Sequence, residues 1–326
     1  MFARLHHRAT SEWLRALTAL LIGSLALATL TACHAATQTA EPEDDRPLVL
    51  TTFTVLEDLA REVAGDRLRV ESITKPGAEI HHYEPTPHDL AHAGEAALIV
   101  DNGLGLEAWF EQFVDGLNVP HATLSDGVEP MNIADGEAAG TVNPHAWMSP
   151  DNAKIYVDNL VDALSDIDPE GHATYQSNGE NYKAQLDEVK HELVDGLAEL
   201  PARHRMLVTC EGAFSYLARD AELDEAYLWP VNADGEGTPQ QIAALSTKVA
   251  AAQVPAVFCE STVNDSAMRQ LAEETGTTLA GTLYVDSLSE ADGPVPSYLE
   301  LLRYDVRTIV ALSLIHISEP TRQEAI

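Results

Sequence analysis

Short apolar or β-branched runs alternate along this chain with stretches whose apolar residues recur at helical spacing. LVLTTF (48–53) leads into VLEDLAREVAG, and RVESIT (69–74) into a loop rich in Pro and His. ALIVDN (97–102) leads into LEAWFEQFVDGL, and HATLSD (121–126) into an acidic Gly/Ala loop. Such alternation predicts parallel strands with helices on both faces of the sheet. It pauses between Gly171 and Leu200, a stretch with no Pro and no strand-like run. There Leu186, Val189, Leu193, Leu197 and Leu200 fall at spacings of three and four. A helix of about 28 residues would be about 42 Å long, enough to cross a domain. Strand-like runs then resume with RMLVTC (205–210), AVFCES (256–261) and TTLAGTL (277–283).

The beginning of the chain departs from this pattern. Arg4, Arg8 and Arg15 precede an apolar stretch from Ala16 to Thr29, which has the length of a signal peptide and is short for a membrane span. Its end, Leu30-Thr31-Ala32-Cys33, matches the bacterial lipobox, so Cys33 is expected to carry lipid and to become the mature N-terminus. Residues 1–33 therefore read as a lipoprotein signal peptide and 34–47, rich in Ala, Thr and acidic residues, as a flexible tether. The folded part is expected outside the cytoplasm, anchored to the cell membrane through Cys33.

At 326 residues the chain is long enough for two lobes, each with its own core. Fifty-two acidic against nineteen basic residues leave a formal net charge of −33. That excludes nucleic acid as a partner, because phosphate binding needs Lys and Arg, and it reads as a solvated acidic surface. Beyond Cys33 the chain has Cys210 and Cys259. Each closes an apolar strand-like run, MLVTC and AVFC, where a small buried thiol packs well, and both are expected to be free thiols.

In open parallel sheets ligands bind beyond the carboxyl ends of the strands, so the polar residues that follow strands are the candidates for chemistry. Glu211 follows MLVTC, Glu260 follows AVFC, and Asp286 lies just after LAGTLYV. His145 sits in the Pro-flanked NPHAWMSP. Four of the thirteen histidines fall in AEIHHYEPTPHDLAH (78–92). Gly77, Pro85 and Pro87 mark a loop around His81 and His82. Thr86 as N-cap and Pro87 at the first position predict a helix over 87–96, which would set His88 and His92 one turn apart on one face. Both arrangements could hold a metal, and this segment alone does not rank them. Histidines from the first half and carboxylates from the second fit a cleft between lobes.

IHHYEPTPHDL, NPHAW, VTCEGAFSYL, EGTPQQI, FCESTVNDSAM and LYVDSLSE resemble, in the same order, segments of the metal-binding lipoproteins of bacterial manganese/zinc/iron ABC importers. The resemblance runs from about Leu48 to Val310. It implies an α/β fold of two (β/α) lobes with parallel sheets, 48–170 and 201–310, joined by a single long helix over 171–200. One divalent metal ion would sit in the interlobe cleft as cargo, held by His81, His145, Glu211 and Asp286. Where the family reads Pro-His-Glu-Tyr-Glu-Pro, this chain reads Ile80-His81-His82-Tyr83-Glu84-Pro85. The ligand thus aligns with His81, and the His88/His92 pair becomes an exposed helix face. Glu260 is read as a hydrogen-bonding support rather than a direct ligand, with Asn143 and Tyr83 in similar parts.

The resemblance also implies the partner, the transmembrane subunit of an ABC permease, and a monomeric receptor rather than an enzyme. A metal-dependent hydrolase is the alternative. Against it, four ligands leave no assured open position, and no GxSxG, HExxH or phosphate loop stands at a suitable place. A surface-adhesin role has also been attached to members of the family. Zinc-selective relatives commonly carry a third histidine where Glu211 stands and a His-rich loop before the second ligand. Here NIADGEAAGTVNPH (132–145) has no histidine before His145. Carboxylate oxygens are hard donors, so Mn²⁺ is favoured, then Zn²⁺, then Fe²⁺. The family's last helix ends shortly after SYLELLRYDVRTIV. The remainder, 311–326, resembles translated sequencing-adapter read-through and is expected not to be native.

Overall fold

In the computed structural model, residues 44–110, 116–134, 138–198, 200–201, 204–231 and 237–313 are described. The signal segment with Cys33, nearly all of the tether, and residues 314–326 of the suspect tail lie outside them. No helix among the described residues is long and apolar enough to cross a membrane.

The first lobe is a parallel four-stranded sheet of order β2-β1-β3-β4, from β1 (Leu48–Thr51), β2 (Arg69–Ser72), β3 (Leu98–Asp101) and β4 (His121–Thr123). β1 and β3 are buried along their whole length, as their unbroken apolar runs require of central parallel strands. Helix α1 (Thr54–Ala64) follows β1 directly. α2 (Pro87–Ala93) begins at Thr86, whose hydroxyl accepts from the Asp89 amide while the Asp89 carboxylate accepts from the Thr86 amide. It is shorter than the expected 87–96. α3 (Pro150–Ile167) starts from the same kind of signal, with Ser149 accepting from the Asn152 amide and Pro150 in first position.

The long helix is α4 (His172–Gly196), 25 residues and thus about 37 Å. Tyr175, Gly179, Tyr182, Leu186, Val189 and Leu193 form its buried stripe. The stripe packs on α1 and α3 of the first lobe and on the last helix, α8 (Tyr298–Ser313). At Gly179 a Cβ would lie 2.9 Å from the Val161 side chain, so glycine there permits the close crossing of α3 and α4.

The second lobe holds two parallel pairs, β5 (Met206–Glu211) with β6 (Asp224–Trp229) and β7 (Ala256–Glu260) with β8 (Thr278–Leu283). α5 (Ser215–Asp220), α6 (Pro239–Ala252) and α7 (Ser266–Thr275) complete it. The fold is α/β, with two lobes of parallel strands and a long connecting helix.

The expectation of free thiols is corrected. Cys210 of β5 and Cys259 of β7 form a disulfide, with Cα atoms 4.8 Å apart. β5 and β7 lie side by side, and both cysteines point into the same apolar layer beneath α6 and α7. Each thiol packs well alone, but two on one face of adjacent strands meet at bonding distance. The cross-link closes a sequence separation of 49 residues, which the chain-entropy account values at about 4 kcal/mol.

Candidate metal centre

Four side chains converge where the two lobes meet. His81 comes from the loop after β2, His145 from the turn ahead of α3, Glu211 from the last position of β5, and Asp286 from the segment after β8. One donor atom from each lies within 4.8 Å of the others. The Nε2 atoms of His81 and His145 are 3.1 Å apart. Glu211 Oε1 lies 3.4 Å from His81 Nε2 and 3.5 Å from His145 Nε2, and Asp286 Oδ1 lies 3.9 Å from both. A cation about 2.1 Å from each of four tetrahedral donors would hold them about 3.4 Å apart. The observed spacing brackets that value, so the donors fit one small cation with room for adjustment toward Asp286.

Local structure explains the placement. Period-two alternation in β5 turns Cys210 into the layer under α6 and α7 and Glu211 toward the other lobe. The Glu79 carboxylate accepts from the His81 amide at 2.5 Å and the His82 amide at 3.0 Å, and Trp109 Nε1 donates to the Ile80 carbonyl at 2.8 Å. The loop is thereby pinned so that His81 faces inward, its side chain 5 % exposed, while His82 is exposed. His88 is exposed and its ring stacks on that of His92, which approaches Glu71 at 3.3 Å on the outside of the lobe. The loop histidine, and not the helical pair, belongs to the cluster.

His145 is fully buried and its ring is fixed from behind. Asn143 Oδ1 lies 2.8 Å from His145 Nδ1 and also accepts from the His145 amide, while Asn143 Nδ2 donates to the Gly212 carbonyl at 2.7 Å. Because Nδ2 faces a carbonyl, the other amide atom is the oxygen, which makes Nδ1 the protonated ring nitrogen and leaves the Nε2 lone pair facing the cluster. The Asp286 segment is held on both sides: Trp147 Nε1 donates to the Val285 carbonyl at 3.1 Å, and the Tyr284 amide donates to Asp305 at 2.9 Å. Gly77 of the His81 loop donates to Ser287 Oγ at 2.6 Å. Glu260 sits behind Glu211, its Oε2 accepting from the Glu211 amide at 3.2 Å. Tyr83, also considered as a support, instead hydrogen-bonds Asp89 at 3.2 Å and packs on Trp109, away from the four.

Burial dominates the electrostatics. It lowers the His81 pKa to about 3, with the nearby His82 adding to the effect, and drives His145 well below the usual histidine range, with His81 as the secondary cause. Both rings are therefore neutral and free to donate lone pairs. Burial also pushes the Asp286 carboxyl up, with Glu79 adding repulsion, and raises Glu260 to about 8. Two acidic groups and two neutral imidazoles in a buried pocket form an arrangement that a 2+ ion would stabilise and that protons must otherwise satisfy.

A family model described as zinc-uptake complex component A, periplasmic, matches residues 49–312. The iron-binding protein YfeA of Yersinia pestis is 47% identical over 262 residues, which cover 80% of this chain and 84% of that protein. The manganese ABC transporter substrate-binding lipoprotein PsaA of Streptococcus pneumoniae is 32% identical over 269 residues, covering 80% and 87%. Among solved structures, the Mn-bound periplasmic metal binding protein of Candidatus Liberibacter asiaticus superposes with a TM-score of 0.77 at 32% identity. That match covers 82% of this chain and 100% of that one.

Proposed function

The chain belongs to the zinc-uptake component A family of metal-binding receptors for bacterial ABC importers, and from that premise we propose that it captures one divalent cation with His81, His145, Glu211 and Asp286. The observation that carries the reading is the convergence of two imidazole nitrogens and two carboxylate oxygens, each imidazole Nε2 lying 3.1–3.9 Å from the other three donors and all four within 4.8 Å of one another. Family membership makes the protein a receptor rather than a hydrolase. It would work as a monomer outside the cytoplasm, tethered by lipid on Cys33, and pass its ion to the membrane subunits of a permease. The lobes are taken as 48–170 and 201–310 with 171–200 between them, and release would require one lobe or its ligand loops to shift.

For the cargo we favour Mn²⁺. Each carboxylate offers a second oxygen, so the site could expand beyond four donors, which suits Mn²⁺ better than a third imidazole would. The names of the similar proteins support a cation from this part of the series, one being called iron-binding and another a manganese transporter lipoprotein. Fe²⁺ stands next to Mn²⁺ in donor preference, and Zn²⁺ would outbind both in any direct competition. Affinity is therefore the wrong test. A strain lacking the gene should lose Mn²⁺ accumulation and recover growth on added Mn²⁺; rescue by Zn²⁺ or Fe²⁺ alone, with Mn²⁺ uptake intact, would reassign the cargo.

A further inference from the structure

The second lobe divides its carboxylates between two half-sheets. β5 pairs with β6 and β7 with β8, and among the described residues no backbone ladder joins β5 to β7, although the two strands lie side by side. Glu211 ends the first half-sheet. Asp286 follows the second, tied to it through Thr262 Oγ1, which donates to Asp286 Oδ2 at 3.4 Å. Links that cross the seam near the metal centre include the hydrogen bond from the Glu211 amide to Glu260 and the Cys210–Cys259 disulfide, one residue before each of those carboxylates.

We infer that the Cys210–Cys259 disulfide is the positioning element that sets Glu211 against Asp286, and that the receptor reaches full metal affinity only when the disulfide is formed. The inference rests on reading the four convergent residues as a metal site. Strands without a shared ladder have little to resist sliding or spreading, whereas a metal site tolerates errors of only about 0.2 Å in its bond lengths. Reduction adds two electrons and two protons and replaces the S–S bond by two S–H groups. Two thiols need van der Waals separation where the disulfide needs a bond, so the strands part at the very residues that precede Glu211 and Glu260. The side chains of Cys210 and Cys259 lie in the apolar layer beneath α6 and α7 and are not among the four converging donors. Their effect therefore passes through the backbone and involves no contact with the ion. Cys259 also lines an open cavity of about 440 Å³ together with Glu260, Ser261 and Thr282. A chain still reduced before export would hold metal weakly, and oxidation outside the cytoplasm would complete the site.

The test uses the purified mature protein and Mn²⁺, a hard ion that free thiolates do not attract. Calorimetric titration compares the oxidised protein, the protein reduced anaerobically by dithiothreitol (which leaves as its cyclic disulfide), and Cys210→Ala/Cys259→Ala, each checked for cooperative unfolding. We expect one Mn²⁺ per oxidised chain and at least tenfold weaker binding in the other two. Linkage demands the reciprocal effect in the unmodified protein. Saturating Mn²⁺ should make the disulfide harder to reduce by the same tenfold, about 30 mV more negative in midpoint potential. That measurement needs no variant to fold. Equal Mn²⁺ affinity in oxidised and reduced protein, or a midpoint potential indifferent to Mn²⁺, would overturn the inference even if reduction lowered the melting temperature. Failure of the oxidised protein to bind any Mn²⁺ would remove its premise, the metal site itself.

Discussion

Asn143 holds both lobes of the protein through one side chain: its Oδ1 accepts from His145 Nδ1 at 2.8 Å, and its Nδ2 reaches across to the Gly212 carbonyl, next to Glu211, at 2.7 Å. The amide therefore fixes the tautomer of one ligand and the backbone beside another. Asn143→Ala removes both contacts without touching the ion. Loss of such a partner typically costs 10- to 100-fold in metal affinity. A calorimetric titration of Asn143→Ala with Mn²⁺ should fall in that range; unchanged affinity would mean that packing alone orients His145.

The ligands themselves make a sharper prediction. A ligand at 100 times its dissociation constant stabilises the folded state by about 2.7 kcal/mol. His81→Ala, His145→Ala, Glu211→Ala and Asp286→Ala should each erase most of the rise in melting temperature that Mn²⁺ produces in the parent protein. His88→Ala and His92→Ala should keep it, since that pair stacks on the outside of the first lobe. A His88→Ala protein that behaved like His81→Ala would refute the assignment.

Much of this site could be read from the chain, for a physical reason. Parallel strands place whatever follows them at one edge of the sheet, so Glu211, Asp286 and the loop bearing His81 were identifiable from local pattern. The long helix was legible as well, because Leu186, Val189 and Leu193 repeat on a single stripe. β6 was not. It opens with Asp224 and Glu225, and only Ala226, Leu228 and Trp229 are buried, so it lacks the apolar run that betrays the other strands. α3 begins inside the Pro-flanked run around His145, where its capping residues Ser149 and Pro150 fit a loop equally well. The disulfide was misread because strand adjacency is a fact of topology: nothing in MLVTC or AVFC says that β5 lies beside β7. The double duty of Asn143 was hidden likewise, since its second partner, Gly212, is 69 residues away.

Glu260 offers a test of support against ligation. Its Oε2 accepts from the Glu211 amide, and among the described residues its Oε1 has no hydrogen-bond partner. Glu260→Gln keeps an acceptor oxygen for that amide and fixes the neutral form that burial favours below about pH 8. If Glu260 serves the backbone of Glu211, the glutamine protein should bind Mn²⁺ within about fivefold of the parent and Glu260→Ala at least tenfold more weakly. A loss of 100-fold or more in Glu260→Gln, measured by the same titration, would instead make Glu260 a direct ligand.

Behind Asn143 the polar chain continues, and it predicts a pH signature. Asn143 Nδ2 also donates to Ser215 Oγ at 3.1 Å, and that hydroxyl donates to Glu225 Oε2 at 2.5 Å. Burial raises the Glu225 pKa from 4.5 to about 7, outweighing its hydrogen bonds from Ser215 and the Phe214 amide. A raised carboxyl takes up a proton on folding between those two values. Its full contribution to stability is present below pH 4.5, declines as the pH climbs, and is gone above about 7. Glu225→Gln fixes the neutral form, and its carbonyl oxygen still accepts from Ser215 or Phe214. In metal-free protein the variant should therefore match the parent near pH 4.5 and exceed it near pH 8, by on the order of 2 kcal/mol. The histidines of the site titrate alike in both proteins and cancel in the difference. Chemical denaturation in the presence of a chelator at the two pH values measures it. A gap that stayed constant across the range would mean that Glu225 ionises in the folded protein as it does in water.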